Sequence, residues 1–322
     1  MIESEEFLRH VEELKEKRYA SRDRFIFGEP PLFFEPFEQR SLISSPIAQT
    51  LLSFKSNLNS AIQVGSIPYR LAHASILDQR FAQLHSAERI RALKGSEDKS
   101  GTESPAHETA RLRMSEELKD GSVIMWHACR TLDLLDKHIN EPEFDSSASE
   151  LLNQVIVMTW GAFETLVNDS IRFMLNEHPS IVSCFVTSRT NKDALIGRNF
   201  MLDALQENNF DLSKMMGDIV CNAMKFDSIG KIRDAVRSLL NNDEIDTSLK
   251  NTELWLVSQR RHLIVHKRAV IDSSYIANTT DNGQIGEKLS LKASYVEESL
   301  VLVRDIGLAF FDACVLKHQE LK

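Results

Sequence analysis

The chain has 322 residues, of which 42% are hydrophobic and 26% are charged, with a net charge of -9 and an isoelectric point near 5.6. This composition is typical of a globular protein of one large or two ordinary domains, and its acidic balance argues against a general polyanion-binding protein without excluding a small basic cleft. The 12 glycines and 8 prolines are too few for a loop-rich all-β fold and favour helices.

Residues 1–105 are predicted to form an N-terminal helical region of unknown role. Helical periodicity covers three stretches, residues 3–19, 46–63 and 71–94. Between the first two, residues 26–37 are aromatic and contain prolines that interrupt regular structure. Residues 95–105 are polar throughout, which predicts a linker and a domain boundary at this point.

Residues 106–322 are predicted to form a second helical domain, which makes the chain all-α. Helical patterns recur at residues 107–139, 146–177, 191–207, 213–224, 228–241, 246–266 and 293–318. Asp120-Gly121 predicts a kink in the first of these helices, and His178-Pro179 ends the second. Before the last helix, an Asn282-Gly283 turn precedes a weakly alternating, extended stretch over residues 285–291. On the last helix we expect a buried side made of Val296, Leu300, Val303, Gly307, Phe310, Phe311 and Cys314.

The four cysteines lie far apart and form no CxxC pair. They are Cys129, Cys184, Cys221 and Cys314. This spacing predicts reduced, buried thiols rather than a disulfide or a metal site. Residues 1–17 are charged and lack the apolar core of a signal peptide, and no apolar run approaches the ~18 residues that cross a membrane. We therefore predict a cytoplasmic protein with no membrane partner.

The stretch from Arg261 to His266 is the strongest candidate for a functional site. Its sequence is Arg-His-Leu-Ile-Val-His, it follows a helical run, and no acidic residue falls between positions 260 and 268. More basic side chains flank it, at Arg260, Lys267 and Arg268. A guanidinium can hold a phosphate, an imidazole can move a proton near neutral pH, and the flanking cations can attract an RNA backbone. These groups are the minimum needed to cleave RNA with no metal and no cofactor.

Simpler explanations of the motif stay open. Arg261 and His266 diverge by about 140° on a straight helix, so they meet one phosphate only if the helix bends or frays, or if a second protomer completes the site. Otherwise the cluster is a charged helix end whose cations interact with the terminal carbonyls. His262 and His266 also have the spacing of two zinc ligands, but no third ligand stands nearby. We therefore expect His262 to orient His266 or the phosphate.

The motif and its surroundings resemble the HEPN superfamily, in the branch named for RiboL-PSP. The resemblance rests on Phe163-Glu164 in an earlier helix, on Arg261, His262 and His266, and on Val270-Ile271-Asp272 after them. It covers roughly residues 110–320. The chain departs from the family at Ala269, where relatives often have Gly, so the turn after the motif is expected to differ.

This resemblance implies an all-α bundle, a homodimer and a metal-independent endoribonuclease. Arg261, His262 and His266 would be catalytic, with Arg261 on the scissile phosphate and His266 as acid or base. RNA would be the substrate, in a toxin or antiviral-defence setting with an antitoxin or defence protein as a possible partner. From the residues alone, Glu164 either forms a salt bridge to Arg261, relays a proton, or is an exposed helix residue.

Two other functions are kept beside the ribonuclease. A catalytically silent HEPN adapter would use the same bundle to bind a nucleotide or a partner protein, and a purely structural module would only dimerise. The intact set of Arg261, His262 and His266 favours the ribonuclease, while the acidic net charge leaves room for the adapter. The chain has neither a phosphate-binding P-loop nor a nucleophile-elbow motif, which disfavours the common nucleotide hydrolases and acyl hydrolases.

Overall fold

The computed structural model describes residues 23–28, 30, 32–40, 46–95, 103–187, 206, 211, 213–224 and 226–322. In this part of the chain all regular secondary structure is helical, apart from one isolated antiparallel bridge between Val270 and Lys288. The predicted all-α fold class is confirmed. None of the helices found there combines the length and the apolar character needed to cross a membrane. The predicted helix over residues 3–19, and nearly all of the one over residues 191–207, lie outside the described residues.

The described helices match most of the predicted stretches. They are α1 (Glu35–Glu38), α2 (Ala48–Gly65), α3 (Ile67–Gly95), α4 (Glu103–Glu117), α5 (Gly121–His138), α6 (Pro142–Glu177), α7 (Val182–Thr187), α8 (Met216–Ala223), α9 (Ile229–Leu240), α10 (Asp243–Ser248), α11 (Thr252–Lys267), α12 (Ser273–Asn278) and α13 (Ala293–Glu320). A 3-10 turn over Pro179–Ile181 lies between α6 and α7.

Single capping side chains set boundaries that periodicity could not place. The Asp120 carboxylate accepts a hydrogen bond from the backbone N–H of Ser122 at 2.8 Å, so the predicted helix over residues 107–139 is two helices, α4 and α5. Asn251 caps α11 in the same way, so the stretch over residues 246–266 is likewise divided, between α10 and α11. A side-chain cap at the start of a helix satisfies N–H groups that have no partner inside it.

Two further elements differ from the predictions. The helix α6 begins at Pro142 rather than at Ser146, because proline is favourable in the first turn of a helix. The short helix α12 was not predicted; Asp272 caps it by accepting a hydrogen bond from the N–H of Tyr275 at 2.8 Å. The stretch over residues 285–291 contributes Lys288 to the isolated bridge with Val270, and it does not form a strand longer than that bridge.

Tertiary contacts group the described residues into two compact units. The first contains the described part of Met1–Pro31 and of Gln63–Leu152, and the second contains that of Leu32–Ile62 and of Asn153–Lys322. These units do not coincide with the predicted domain boundary between residues 105 and 106. That boundary stays a prediction, since it concerns the extent of the domain that resembles the HEPN superfamily.

The first unit holds two small apolar clusters. They consist of Phe25, Leu135, Ile139 and Ala148, and of Leu84, Ala110 and Met114. Trp126 on α5 is 50% exposed, and the guanidinium of Arg130 lies 5.5 Å from the centroid of its ring. Its neighbour His127 is fully buried instead, because adjacent residues of a helix point about 100° apart and only one can face inward.

The second unit has the larger core, and α13 runs through it. Every residue predicted for the buried side of α13 is buried. Gly307 allows close approach of Phe54 and Leu166, since a Cβ at this position would lie 2.5 Å from the Phe54 ring. Trp160 on α6 is fully buried and packs against Phe163 with the ring centroids 5.7 Å apart. This core fixes the face of α6 that carries Glu164.

The cysteines only partly follow the prediction of burial. Cys221 and Cys314 are buried, and burial raises the pKa of the Cys221 thiol to about 12. The prediction was wrong for Cys184, which is exposed because the short helix α7 leaves that position on the surface.

Candidate functional site

The motif lies in the second half of α11, which is regular through Lys267. The helix is unbroken between Arg261 and His266, so the two side chains diverge as expected for a regular helix. After Lys267 the chain turns sharply, with Arg268 and Ala269 both in the left-handed region at φ of 54° and 61°. This is the position where the family often has Gly, and Ala269 adopts the backbone conformation that favours Gly.

His262 and His266 lie one turn apart on the exposed face of α11. Both residues are exposed, and their ring centroids are 4.6 Å apart with an angle of 49° between the planes. Local desolvation lowers the pKa of the His262 imidazole, and the neighbouring His266 and Arg261 lower it further. An imidazole with a lowered pKa stays neutral near physiological pH, so His262 can accept a proton there.

Glu164 and Arg261, which are 97 residues apart in sequence, form the salt bridge that was one of the predictions. The Nη2 atom of Arg261 donates to Oε2 of Glu164 at 3.5 Å, which is a long contact. The other carboxylate oxygen of Glu164 accepts a hydrogen bond from Nε1 of Trp160 at 2.6 Å. Burial raises the pKa of Glu164, while the hydrogen bond from Trp160 and the charge of Arg261 oppose that rise.

Arg261 keeps donors that no protein group uses. Its side chain is 22% exposed, yet its Nε is buried with no hydrogen-bond partner. Buried donors of this kind are rare because each costs about 1–3 kcal/mol. Glu164 holds the guanidinium from one side, and the exposed part of the side chain, which does not include the buried Nε, can still donate to a ligand.

Arg260 is bound by groups of the protein itself, and its predicted RNA contact stays a prediction. Its Nη2 donates to both carboxylate oxygens of Asp281 at 2.7 and 3.0 Å, and its Nε donates to the Tyr275 hydroxyl at 3.3 Å. The guanidinium also lies 3.9 Å from the centroid of the Tyr295 ring, and the side chain is only 12% exposed. Its charge is neutralised by Asp281, so Arg260 joins α11 to α13 and to the loop after α12.

Lys267 and Arg268 stay on the surface, where the sequence placed them. Both are exposed, and Nζ of Lys267 is 3.8 Å from a carboxylate oxygen of Asp272. Cations near the last turn of a helix are also favoured by the helix dipole. A contact with RNA is therefore not required to explain these two side chains, and it stays a prediction.

Sequence reasoning missed two residues around the motif. Asp281, the partner of Arg260, lies in the polar turn that separates α12 from the bridge, and nothing in its local sequence marks it as half-buried and paired with an arginine. Trp255 lies seven residues before His262, which is two helical turns, and is 38% exposed. That spacing could have placed both on one face of α11.

The zinc alternative needs a third ligand beside His262 and His266. Among the described residues, no group of three or more His, Cys, Asp and Glu side chains is arranged to hold a metal ion.

Comparison of the chain with protein-family models, with curated proteins and with solved structures finds no match in any of the three. The resemblance to the HEPN superfamily therefore rests on the motif and its flanking residues, and it stays a prediction.

Proposed function

We propose that this chain is a metal-independent endoribonuclease of the HEPN type. A contrast between adjacent arginines carries the proposal. Arg260 is held by Asp281, Tyr275 and Tyr295, whereas Arg261 has one long contact and a side chain that stays 22% exposed. An acceptor from outside the chain would complete the bonding of Arg261, and a phosphate, with its several oxygens, suits the planar guanidinium fork.

The proposed reaction is an attack of the ribose 2′-oxygen on the neighbouring phosphorus. A neutral imidazole takes the proton of the 2′-hydroxyl while the bond from phosphorus to the 2′-oxygen forms. The bond to the 5′-oxygen breaks, and a protonated imidazole donates a proton to that leaving oxygen. The products are a 2′,3′-cyclic phosphate and a free 5′-hydroxyl, with no change in redox state.

The roles follow from position and charge. His266 is assigned as acid or base, and Arg261 stabilises the negative charge on the phosphate. His262, whose pKa is lowered, is suited to be the neutral imidazole that accepts a proton or the group that orients His266. Glu164 holds Arg261 through the salt bridge and is a positioning residue.

We infer that the site is completed in a homodimer. In one protomer, Arg261 and His266 point about 140° apart on a regular helix, so they do not converge on one phosphate. A two-fold interface can place Arg261 of one copy beside His266 of the other. It would also bring two copies of Lys267 and Arg268 to one groove, which doubles the positive charge available to an RNA strand.

The setting that this chemistry suits is a cytoplasmic toxin or antiviral-defence effector. An unrestrained endoribonuclease would harm its own cell, so an antitoxin or a defence partner protein would be expected to control it.

The direct test is incubation of the purified protein with diverse single-stranded RNAs in EDTA, followed by analysis of the product ends. We expect cleavage that leaves 2′,3′-cyclic phosphates, and loss of cleavage in His266→Ala. An absolute requirement for a divalent ion, or 3′-hydroxyl products, would overturn the mechanism.

One observation favours a second candidate, the silent adapter. The salt bridge with Glu164 gives the Arg261 guanidinium a protein partner, which an adapter could keep for stability alone. An adapter would bind a nucleotide or a partner protein and leave every RNA intact. A folded dimer that cleaves none of the RNAs would support it.

A further inference from the structure

We propose that Trp255 is a stacking platform for a base of single-stranded RNA, which extends the candidate site along α11 by two turns. This inference rests on the proposed function, because it names a further part of the same substrate site. It assigns sequence-tolerant strand binding to a residue that lies outside the motif.

The placement comes from the helix register. At about 100° per residue, Trp255, His262 and His266 fall within about 20° of one line along α11. At a rise of about 1.5 Å per residue, His262 lies about 10 Å and His266 about 16 Å along the axis from Trp255. Both histidines are exposed and Trp255 is 38% exposed, so the three rings form a row on one open face.

The indole is held in one orientation, which prepares its exposed face for stacking. Its Nε1 donates a hydrogen bond to the backbone carbonyl of Asn278 at 3.0 Å. That bond satisfies the single polar atom of the side chain and fixes the ring against the end of α12. A base can then stack without first ordering the tryptophan, and stacking tolerates every base because each has a π-face.

Single-stranded RNA is the occupant that the surrounding charges favour. Lys267 and Arg268 lie just beyond the far end of the row, and both are exposed. A strand that follows the row would place its phosphates near those cations and His266 while one of its bases reaches Trp255. Since a fully stacked strand advances about 3.4 Å per nucleotide, that base lies at most about five nucleotides from the scissile phosphate.

The test measures binding and not cleavage. The probe is a short 2′-O-methyl oligonucleotide, which lacks the free 2′-hydroxyl needed for reaction. We expect Trp255→Ala to weaken its affinity by about five- to 150-fold, the range for loss of one stacked base. Trp255→Phe, which keeps an aromatic face but not the hydrogen bond to Asn278, should stay within about threefold of the wild type. The matched control is Trp126→Ala, which removes the other exposed tryptophan and should leave the affinity unchanged.

Oligonucleotides with one abasic position then locate the stacked base. At one position of the oligonucleotide, removal of the base should weaken binding to the wild-type protein. The same removal should not weaken binding to Trp255→Ala any further. If Trp255→Phe is as weak as Trp255→Ala, or if no abasic position depends on Trp255, the stacking proposal fails. A change in dimer mass with unaltered RNA affinity would assign Trp255 to the protein interface and would also overturn it.

These results separate the two proposals. Binding that depends on Trp255, to an RNA that is never cleaved, would support the stacking proposal and overturn the ribonuclease proposal. Cleavage with 2′,3′-cyclic ends that is indifferent to Trp255→Ala would keep the nuclease and remove the platform. Absence of any binding by the folded dimer would overturn the platform outright.

Discussion

Replacing Arg260 with lysine keeps the positive charge but removes the planar fork, and we expect it to destabilise the fold without weakening RNA binding. A lysine can retain one of the hydrogen bonds to Asp281, so at least one charge-assisted bond, worth about 1.5–3 kcal/mol, is lost. The stacking of the guanidinium over Tyr295 at 3.9 Å adds about 0.5–2 kcal/mol. The ammonium keeps part of its attraction to Asp281, so the expected loss is about 2–4 kcal/mol.

Urea denaturation of Arg260→Lys beside the wild type measures this loss directly. Arg268→Ala is the matched control: it removes an exposed charge from the same helix end, so its stability should stay within about 0.5 kcal/mol of the wild type. The RNA affinity of Arg268→Ala should fall. The slope of the logarithm of its binding constant against the logarithm of the salt concentration should decrease by about 0.7, the value for one phosphate contact with a single strand. A fully stable Arg260→Lys protein, or one whose RNA affinity falls like that of Arg268→Ala, would refute the structural role of Arg260.

Three other perturbations test the catalytic role of His266, the ion pairs of Asp246 and the backbone conformation of Ala269. His266→Ala should reduce cleavage by at least about a hundredfold while its melting temperature stays within a few degrees, because the side chain is exposed. Asp246 is buried, and hydrogen bonds from the side chains of Arg237 and Lys250 hold its pKa well below the ordinary value. The stabilising contribution of the ionised Asp246 carboxylate should be complete above about pH 4, and it should be lost as the pH falls through the lower pKa of the folded state. Because Asp246→Asn removes this contribution, its unfolding free energy should fall less steeply than that of the wild type as the pH is lowered in the acid range. Ala269→Gly should be neutral or stabilise by up to about 1 kcal/mol in the same assay because Ala269 has φ of 61°, whereas Ala235→Gly within α9 should cost about 1 kcal/mol or more.

The helices could be predicted where one apolar stripe dominates a long stretch. The buried side of α13 is the clearest case, because seven apolar or small residues recur at helical spacing and all of them are buried. Helix ends could not be placed in the same way. They depend on single polar side chains. Asn251 looks like an ordinary surface residue in sequence, and Asp120 indicated only a kink where the structure has two separate helices.

The candidate site was predictable in part, and the two arginines show the limit. A buried carboxylate needs a partner, so the sequence could suggest that Glu164 pairs with Arg261. It could not distinguish Arg260 from Arg261, because the two differ only by a rotation of about 100° on the helix. What lies on each side is set by distant elements: Asp281 and Tyr295 face Arg260, while Glu164 faces Arg261.

The most direct test of the central claim mixes two inactive proteins, Arg261→Ala and His266→Ala, after dissociation and reassociation of the dimers. If each site takes its arginine from one copy and its histidine from the other, a mixed dimer keeps one intact site of two. Random mixing makes half of the dimers mixed, so cleavage should return to about a quarter of the wild-type rate. A mixture that stays inactive although mixed dimers form, or either single variant that is active alone, would contradict the account.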